Sequence, residues 1–230
     1  MIHIGKTGGS VIKHALESLP PNERYDFQCY THHTRLKKIP VGDHCFFFLR
    51  DPISRFISGF NSRKRQGKPL YFYEWKPGER IAFETFHSPN ELALALSHRK
   101  RAHRLRANQA MNKIRHVKRS YWYWFRDESY FRSRLDDLFF IGFQETLNAD
   151  FEILKKKLSL PEDLSLSNDE VIAHKNPDHL DKHLDDQAIE NLKQWYAKDY
   201  EFMDLCREII QERGLDQPVP LFEDSALSGR

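Results

Sequence analysis

The apolar residues of this chain fall into short solid runs that alternate with helical stripes. Met1-Ile2-His3-Ile4 reads as a short strand, and Val11 to Leu19 follows with helical spacing. Asp43-His44-Cys45-Phe46-Phe47-Phe48-Leu49 is an apolar run of strand length, suited to a sheet covered on both faces. Behind it Ile53, Phe56, Ile57 and Phe60 share one helical stripe. Leu138 to Phe143 predicts another buried strand, and Tyr25 to Tyr30 a further one. Leu92 to Lys118 reads as largely helical, Ala149 to Leu158 as an amphipathic helix ended by Pro161. Asp186 to Arg213 predicts a long helical region broken near Lys198-Asp199-Tyr200. Gln66 to Pro77 is punctuated as a loop, and no internal repeat is present. The expectation is a single α/β domain over 1–216, with an irregular tail at 217–230.

Two of the strand–helix junctions carry chemistry. Gly5-Lys6-Thr7-Gly8-Gly9-Ser10 joins the first strand to the first helix. Its glycines let the backbone wrap an anion, Lys6 adds a point charge, Thr7 and Ser10 add hydroxyls, and the helix start adds free N–H groups. Gly5-Lys6-Thr7 matches the end of a nucleotide-triphosphatase loop, but the first glycine of that motif would lie upstream of Met1. At the second junction Arg50 ends its strand, Asp51 is a helix N-cap residue and Pro52 suits the first turn. Arg50 thus sits at the carboxyl end of a strand, where open α/β sheets bind ligands, and Ser58 lies on the next helix.

These two units resemble the PAPS-dependent sulfotransferases, in particular the carbohydrate branch and its uronyl 2-O-sulfotransferases. That family's 5′-phosphosulfate loop reads roughly Pro-Lys-[Ser/Thr]-Gly-[Gly/Ser/Thr]-[Ser/Thr], and Gly5 to Ser10 follows it with glycine in place of the proline. Its 3′-phosphate element has Arg-Asp-Pro with a serine eight residues after the arginine, as Arg50, Asp51, Pro52 and Ser58 do here. Weaker likenesses are Phe140 to Glu145, His174-Lys175-Asn176 and Tyr196-Ala197-Lys198-Asp199-Tyr200. The resemblance implies a P-loop-like three-layer fold with a central, mainly parallel sheet flanked by helices. It implies that Lys6, Thr7, Gly8, Gly9 and Ser10 hold the 5′-phosphosulfate of PAPS, and that Arg50 and Ser58 hold its 3′-phosphate. The product would be adenosine 3′,5′-bisphosphate, with Lys6 stabilising the departing oxygen and no metal taking part. Such in-line transfer asks the protein for positioning and charge stabilisation.

The acceptor hydroxyl needs a base. In the uronyl branch a histidine followed by a short arginine-containing stretch has that role, and His33 with Arg35 resembles it most; His32 is its neighbour. Histidine suits the task because its ordinary pKa lies near neutrality. Glu17 or Glu23 would serve in a branch that uses glutamate.

Composition fits a globular enzyme: 40% of the 230 residues are hydrophobic and 30% charged. The net charge is only +3, but it is unevenly placed. No Asp or Glu occurs from Leu92 to Arg126, a stretch that includes Arg99, Lys100, Arg101, Arg104, Arg106, Lys113, Arg115, Lys118 and Arg119. Either this is a solvated helix face or it is a groove for a polyanion. Together His32, Arg35, Arg101, Arg104 and Lys175 are the acceptor-binding candidates. Tyr121-Trp122-Tyr123-Trp124-Phe125 would stack on sugars or bases, or fill the core. The three cysteines, Cys29, Cys45 and Cys206, form neither metal spacing nor a disulfide framework. No segment approaches the length of a membrane span. The expected setting is the cytoplasm of a bacterium, or the Golgi lumen if an N-terminal anchor has been removed. Two rivals follow from the same residues: a small-molecule kinase with a truncated loop, and a nucleic-acid-binding module on residues 98–119.

Overall fold

The computed structural model describes residues 1–21, 26–167, 169, 177 and 180–218. Its elements run α1 (Gly9–Glu17), β1 (Cys45–Leu49), α2 (Pro52–Lys64), α3 (Pro77–Thr85), α4 (Pro89–Ala95), α5 (Arg101–Lys113), α6 (Trp122–Phe125), α7 (Glu128–Arg132), β2 (Leu138–Phe143), α8 (Leu147–Lys157), α9 (Asp186–Trp195) and α10 (Ala197–Arg213). β1 and β2 pair in parallel, Phe46 opposite Phe140 and Leu49 opposite Phe143, with an irregularity after Cys45. Gln144 carries the pairing one step further by donating to the Leu49 carbonyl at 2.8 Å.

Two further segments lie alongside without forming a regular ladder. Ile2 donates to Phe46 O at 2.9 Å. The Met1 amine donates to Gln28 O at 2.8 Å, and Tyr30 N donates to Met1 O at 3.2 Å. That pair of bonds brackets Cys29 in the manner of a parallel bridge. The opening strand is therefore extended and buried but bonded at isolated points. Residues 26–30, expected as a strand, are irregular chain bonded to Met1 and packed on the cores through Phe27, Cys29 and Tyr30; residues 22–25 lie outside the described residues.

Side-chain alternation sends β1 to two different cores. Cys45, Phe47 and Leu49 pack with Ile2, Ile4, Phe125, Phe131 and the α10 residues Phe202 and Cys206. Phe46 and Phe48 pack with Val11 and Ile12 of α1 and with Phe151 and Leu154 of α8. A third cluster joins Phe56 and Phe60 of α2 to α3, α4, α5 and α9. β2 admits this packing through Gly142, where a Cβ would stand 2.4 Å from Cε1 of Phe48.

Two helical expectations gain detail. The stretch Leu92 to Lys118 is largely helical, as expected, and is made of two helices, α4 ending at Ala95 and α5 beginning at Arg101. The break in the late helical region falls at Tyr196, before the Lys198-Asp199-Tyr200 expected. Tyr196, Asp199 and Tyr200 leave that break with structural work. Tyr196 Oη donates to Val117 O at 3.1 Å, and Tyr200 Oη donates to Asp51 Oδ2 at 2.9 Å. Asp199 accepts from Tyr121 N at 2.8 Å and pairs with Arg55 at 3.2 Å. Both members of that ion pair are almost wholly buried, at 2% and 1% side-chain exposure. Of the aromatic run, Tyr121, Trp124 and Phe125 are buried, while Trp122 and Tyr123 are partly exposed. Expected outcome: Asp199→Ala, which strands the Arg55 guanidinium in the core, lowers unfolding free energy by ~3–5 kcal/mol in a urea titration.

Candidate active site

The Gly5 to Ser10 loop is shaped by three local constraints. Thr7 Oγ1 donates to Ile4 O at 3.0 Å, which closes the turn and buries the hydroxyl. Lys6 adopts a positive φ of 71° and Gly8 one of 85°. Glycine takes that conformation freely, and at Gly8 a Cβ would also press on Leu147 at 3.1 Å. Gly9 has no room for a side chain, since a Cβ would lie 2.5 Å from the His3 ring. α1 starts here with no side-chain cap, so its first N–H groups are left for a ligand.

The second junction is held with comparable care. Asp51 caps α2 by accepting from Ser54 N at 2.7 Å, and its own N–H donates to Glu145 Oε1 at 2.8 Å. Tyr121 Oη accepts from Arg50 N at 3.1 Å and donates to Arg50 O. The Arg50 guanidinium reaches Lys6 O through Nη1 at 3.4 Å. Its Nε is buried with no hydrogen-bond partner among the described residues.

The two junctions open on one cavity of about 570 Å³, within the usual range for ligand pockets. Lys6, Gly8, Gly9, Ser10, His32, Arg50 and Ser58 all line it. Thr7 does not, being turned into the loop. Arg115 of the acid-free basic stretch lines it as well, and the cavity also takes in residues that sequence reasoning gave no role: His3, His116 and Gln144. His3 gave a faint signal as a polar residue inside an apolar run. His116 gave one only indirectly, through Gly5. A Cβ at position 5 would sit 3.3 Å from Nδ1 of His116, and one at Gly59 3.1 Å from its Cβ.

The electrostatics are those of an anion site. Burial, reinforced by Arg65 and Arg50, pulls the Lys6 ammonium down to about 7. Burial, with Arg115, His33 and Lys6 nearby, lowers His32 to about 4, so its ring is neutral at pH 7. His116 is depressed well below its ordinary value by burial first, then by Lys6, His32 and Arg115. His32 Nδ1 is buried and has no hydrogen-bond partner among the described residues. His33 stands outside the cavity lining, exposed, with Arg119 Nη2 at 2.8 Å from Nδ1 and Arg115 Nη2 at 3.4 Å from Nε2.

The remaining acceptor candidates are dispersed. Arg35 lines a separate cleft. Arg101 and Arg104 line neither space, and Arg104 spends its guanidinium on His98 O and Arg99 O at 2.8 and 3.1 Å. Lys175 and the rest of His174-Lys175-Asn176 lie outside the described residues.

A family model described as "Sulfotransferase family" matches residues 1–204. The chain belongs to the sulfotransferase family. Membership makes it a transferase that moves a sulfuryl group to a hydroxyl-bearing acceptor. No curated protein and no solved structure matches the chain. Among the described residues of this sulfotransferase, no helix is long and apolar enough to cross a membrane, and no group of three or more His, Cys, Asp or Glu is placed to hold a metal ion.

The lowered Lys6 value has a direction that can be checked. The folded chain sheds this proton near pH 7 while the unfolded chain keeps it to about 10.5, so stability rises with pH through that window. Below pH 7 the burial penalty is present in full. In an NMR titration of lysine side chains, one resonance should move near pH 7 and vanish in Lys6→Met. The same substitution should flatten the rise in stability between pH 7 and 9.

Proposed function

We propose that this sulfotransferase takes its sulfuryl group from PAPS and delivers it to a carbohydrate hydroxyl, on the P-loop-like three-layer fold expected from the sequence. The observation that carries the reading is the convergence of two separate anion sites on one cavity. Lys6 with the start of α1 makes the first, and Arg50 with Ser58 the second. A nucleotide phosphorylated at both ends matches that pair. The residues fit it chemically: Arg50 Nε is a buried donor without a hydrogen-bond partner among the described residues, and α1 begins with no side-chain cap on its first N–H groups.

Bound PAPS supplies the transferable sulfuryl group and a phosphate able to leave. In this reading Lys6 and the N–H groups of α1 hold the 5′ end, and the Lys6 ammonium carries the charge that develops on the departing oxygen. The planar Arg50 guanidinium and the Ser58 hydroxyl hold the 3′-phosphate. An anion in the loop favours the protonated ammonium, so binding near pH 8 draws a proton onto Lys6 Nζ. The acceptor proton passes to a ring nitrogen of the His32–His33 pair. Geometry favours His32, which lines the cavity with a neutral ring, over His33, whose two nitrogens both face arginine donors.

Calorimetry without magnesium tests the donor site. Adenosine 3′,5′-bisphosphate should bind, with proton uptake at pH 8 that Lys6→Met abolishes. Arg50→Ala should weaken it by about 10–100-fold, the worth of a charge-assisted bond. Binding of ATP instead, dependent on magnesium, would sink the proposal. For the base, His32→Ala should stop transfer with nucleotide affinity kept, and His33→Ala should retain measurable transfer; the reverse pattern returns the role to His33.

A further inference from the structure

A second concavity of about 240 Å³ shares no lining residue with the donor cavity. It is lined by Arg35, Lys37, Trp122, Tyr123, Trp124 and Arg126, three cations and three aromatic rings with no carboxylate. Two guanidiniums rest on the Tyr123 ring, Arg35 at 4.3 Å and Arg119 at 4.2 Å from its centroid. Cation–π stacking fixes the plane of a guanidinium and leaves its N–H edges available. The Arg35 and Lys37 side chains make no hydrogen bond and no ion pair among the described residues. By contrast Arg126 already pairs with Asp127 at 3.2 Å. It is also the centre of a tight turn, with φ 73° and ψ −78° and Asp127 N donating to Phe125 O at 3.1 Å. That geometry is the rare γ-turn, a strained conformation for a residue with a side chain.

The cleft is wired to the donor cavity through one backbone carbonyl. Trp124 Nε1 and Arg119 Nη1 both donate to His32 O at 3.1 Å, while the His32 ring lines the cavity. The Trp124 wall of the cleft is thus bonded to the backbone of the histidine proposed to face the acceptor.

Resting on the sulfuryl-transfer reading above, we propose that this cleft is a subsite for an anionic sugar unit of the acceptor, distinct from the unit that receives the sulfuryl group. Arg35 and Lys37 take the carboxylate or sulfate, and the partly exposed Trp122 takes the apolar face of the ring, while Tyr123 seats the Arg35 guanidinium. A small half-open cleft with its aromatics on one turn of helix suits one ring and its charge. Single-stranded nucleic acid needs a basic groove with successive stacking platforms. Here Arg101 and Arg104 line neither the cleft nor the cavity.

The test is calorimetry of the full chain with unsulfated chondroitin hexasaccharide, its sulfated form, neutral maltohexaose and an oligothymidylate of eight nucleotides. The hexasaccharides should bind, the sulfated form reporting whether sulfate outranks carboxylate, and maltohexaose should bind at least tenfold more weakly. Arg35→Gln with Lys37→Gln, both outside the core, should cost the hexasaccharides at least tenfold and leave adenosine 3′,5′-bisphosphate affinity unchanged. Tyr123→Phe should keep hexasaccharide binding, because the ring that seats Arg35 remains. Unchanged hexasaccharide affinity in the double variant, equal binding of maltohexaose, or preferential binding of the oligothymidylate through Arg35 and Lys37 overturns the assignment. The nucleotide titration on the same proteins reports the donor reading separately, so failure of one is not mistaken for failure of the other.

Discussion

The Arg55 guanidinium is the joint on which the site depends. It is buried on α2 and donates to the Gly5 carbonyl at 3.3 Å, to the Arg119 carbonyl, and to Asp199 at 3.2 Å. Tyr121 and Trp124 stack near it at 4.7 and 5.5 Å. One side chain thus ties the phosphate loop, the arginine-bearing helix, the segment leading to the aromatic turn and the last helix. Burying a charge is costly unless it is paired and fully bonded, and here each direction of the fork has an acceptor. Burial raises the Asp199 carboxyl, against which Arg55 and the Tyr121 N–H work to keep it ionised.

The consequence is a cavity whose walls are fixed before any anion arrives. Lys6, Arg50 and Arg115 are held in one space beside three histidines, with Lys6 and Arg50 partly desolvated. The repulsion among the cations is carried by the fold, through ties such as Arg63 to Glu79 at 2.7 Å and Glu79 to Arg115 N at 2.9 Å. A ligand with several negative charges relieves that repulsion. This is preorganisation in its electrostatic form, and it explains how a modest net charge conceals a strongly positive interior.

Much of this was legible because local rules sufficed. β1, its Asp51-capped helix and the glycine loop each follow from short-range patterning, and Arg50 and Ser58 come together because one strand and one helix turn dictate it. The loss of regularity in the first strand and at residues 26–30 was not legible, since those segments bond at isolated points set by tertiary packing. The division of Leu92 to Lys118 escaped the pattern because a basic, acid-free stretch gives no sign of where its turn falls. His32 and His33 are adjacent in sequence, and only the packing of Arg115, Arg119 and Trp124 around them decides which one looks into the cavity. His116 lies more than a hundred residues from the loop it abuts, and no local rule could have paired them.

That last contact makes the loop answerable to a distant side chain. The His116 imidazole stands against the space that a side chain at position 5 would enter, and Gly59 clears its other side. Residues 5, 59 and 116 are therefore sterically coupled. A Cβ at position 5 would meet His116 Nδ1 at 3.3 Å, so any side chain there asks the imidazole to give by a few tenths of an ångström. Because that ring lines the cavity, the entry of the loop and a wall of the cavity cannot be altered independently.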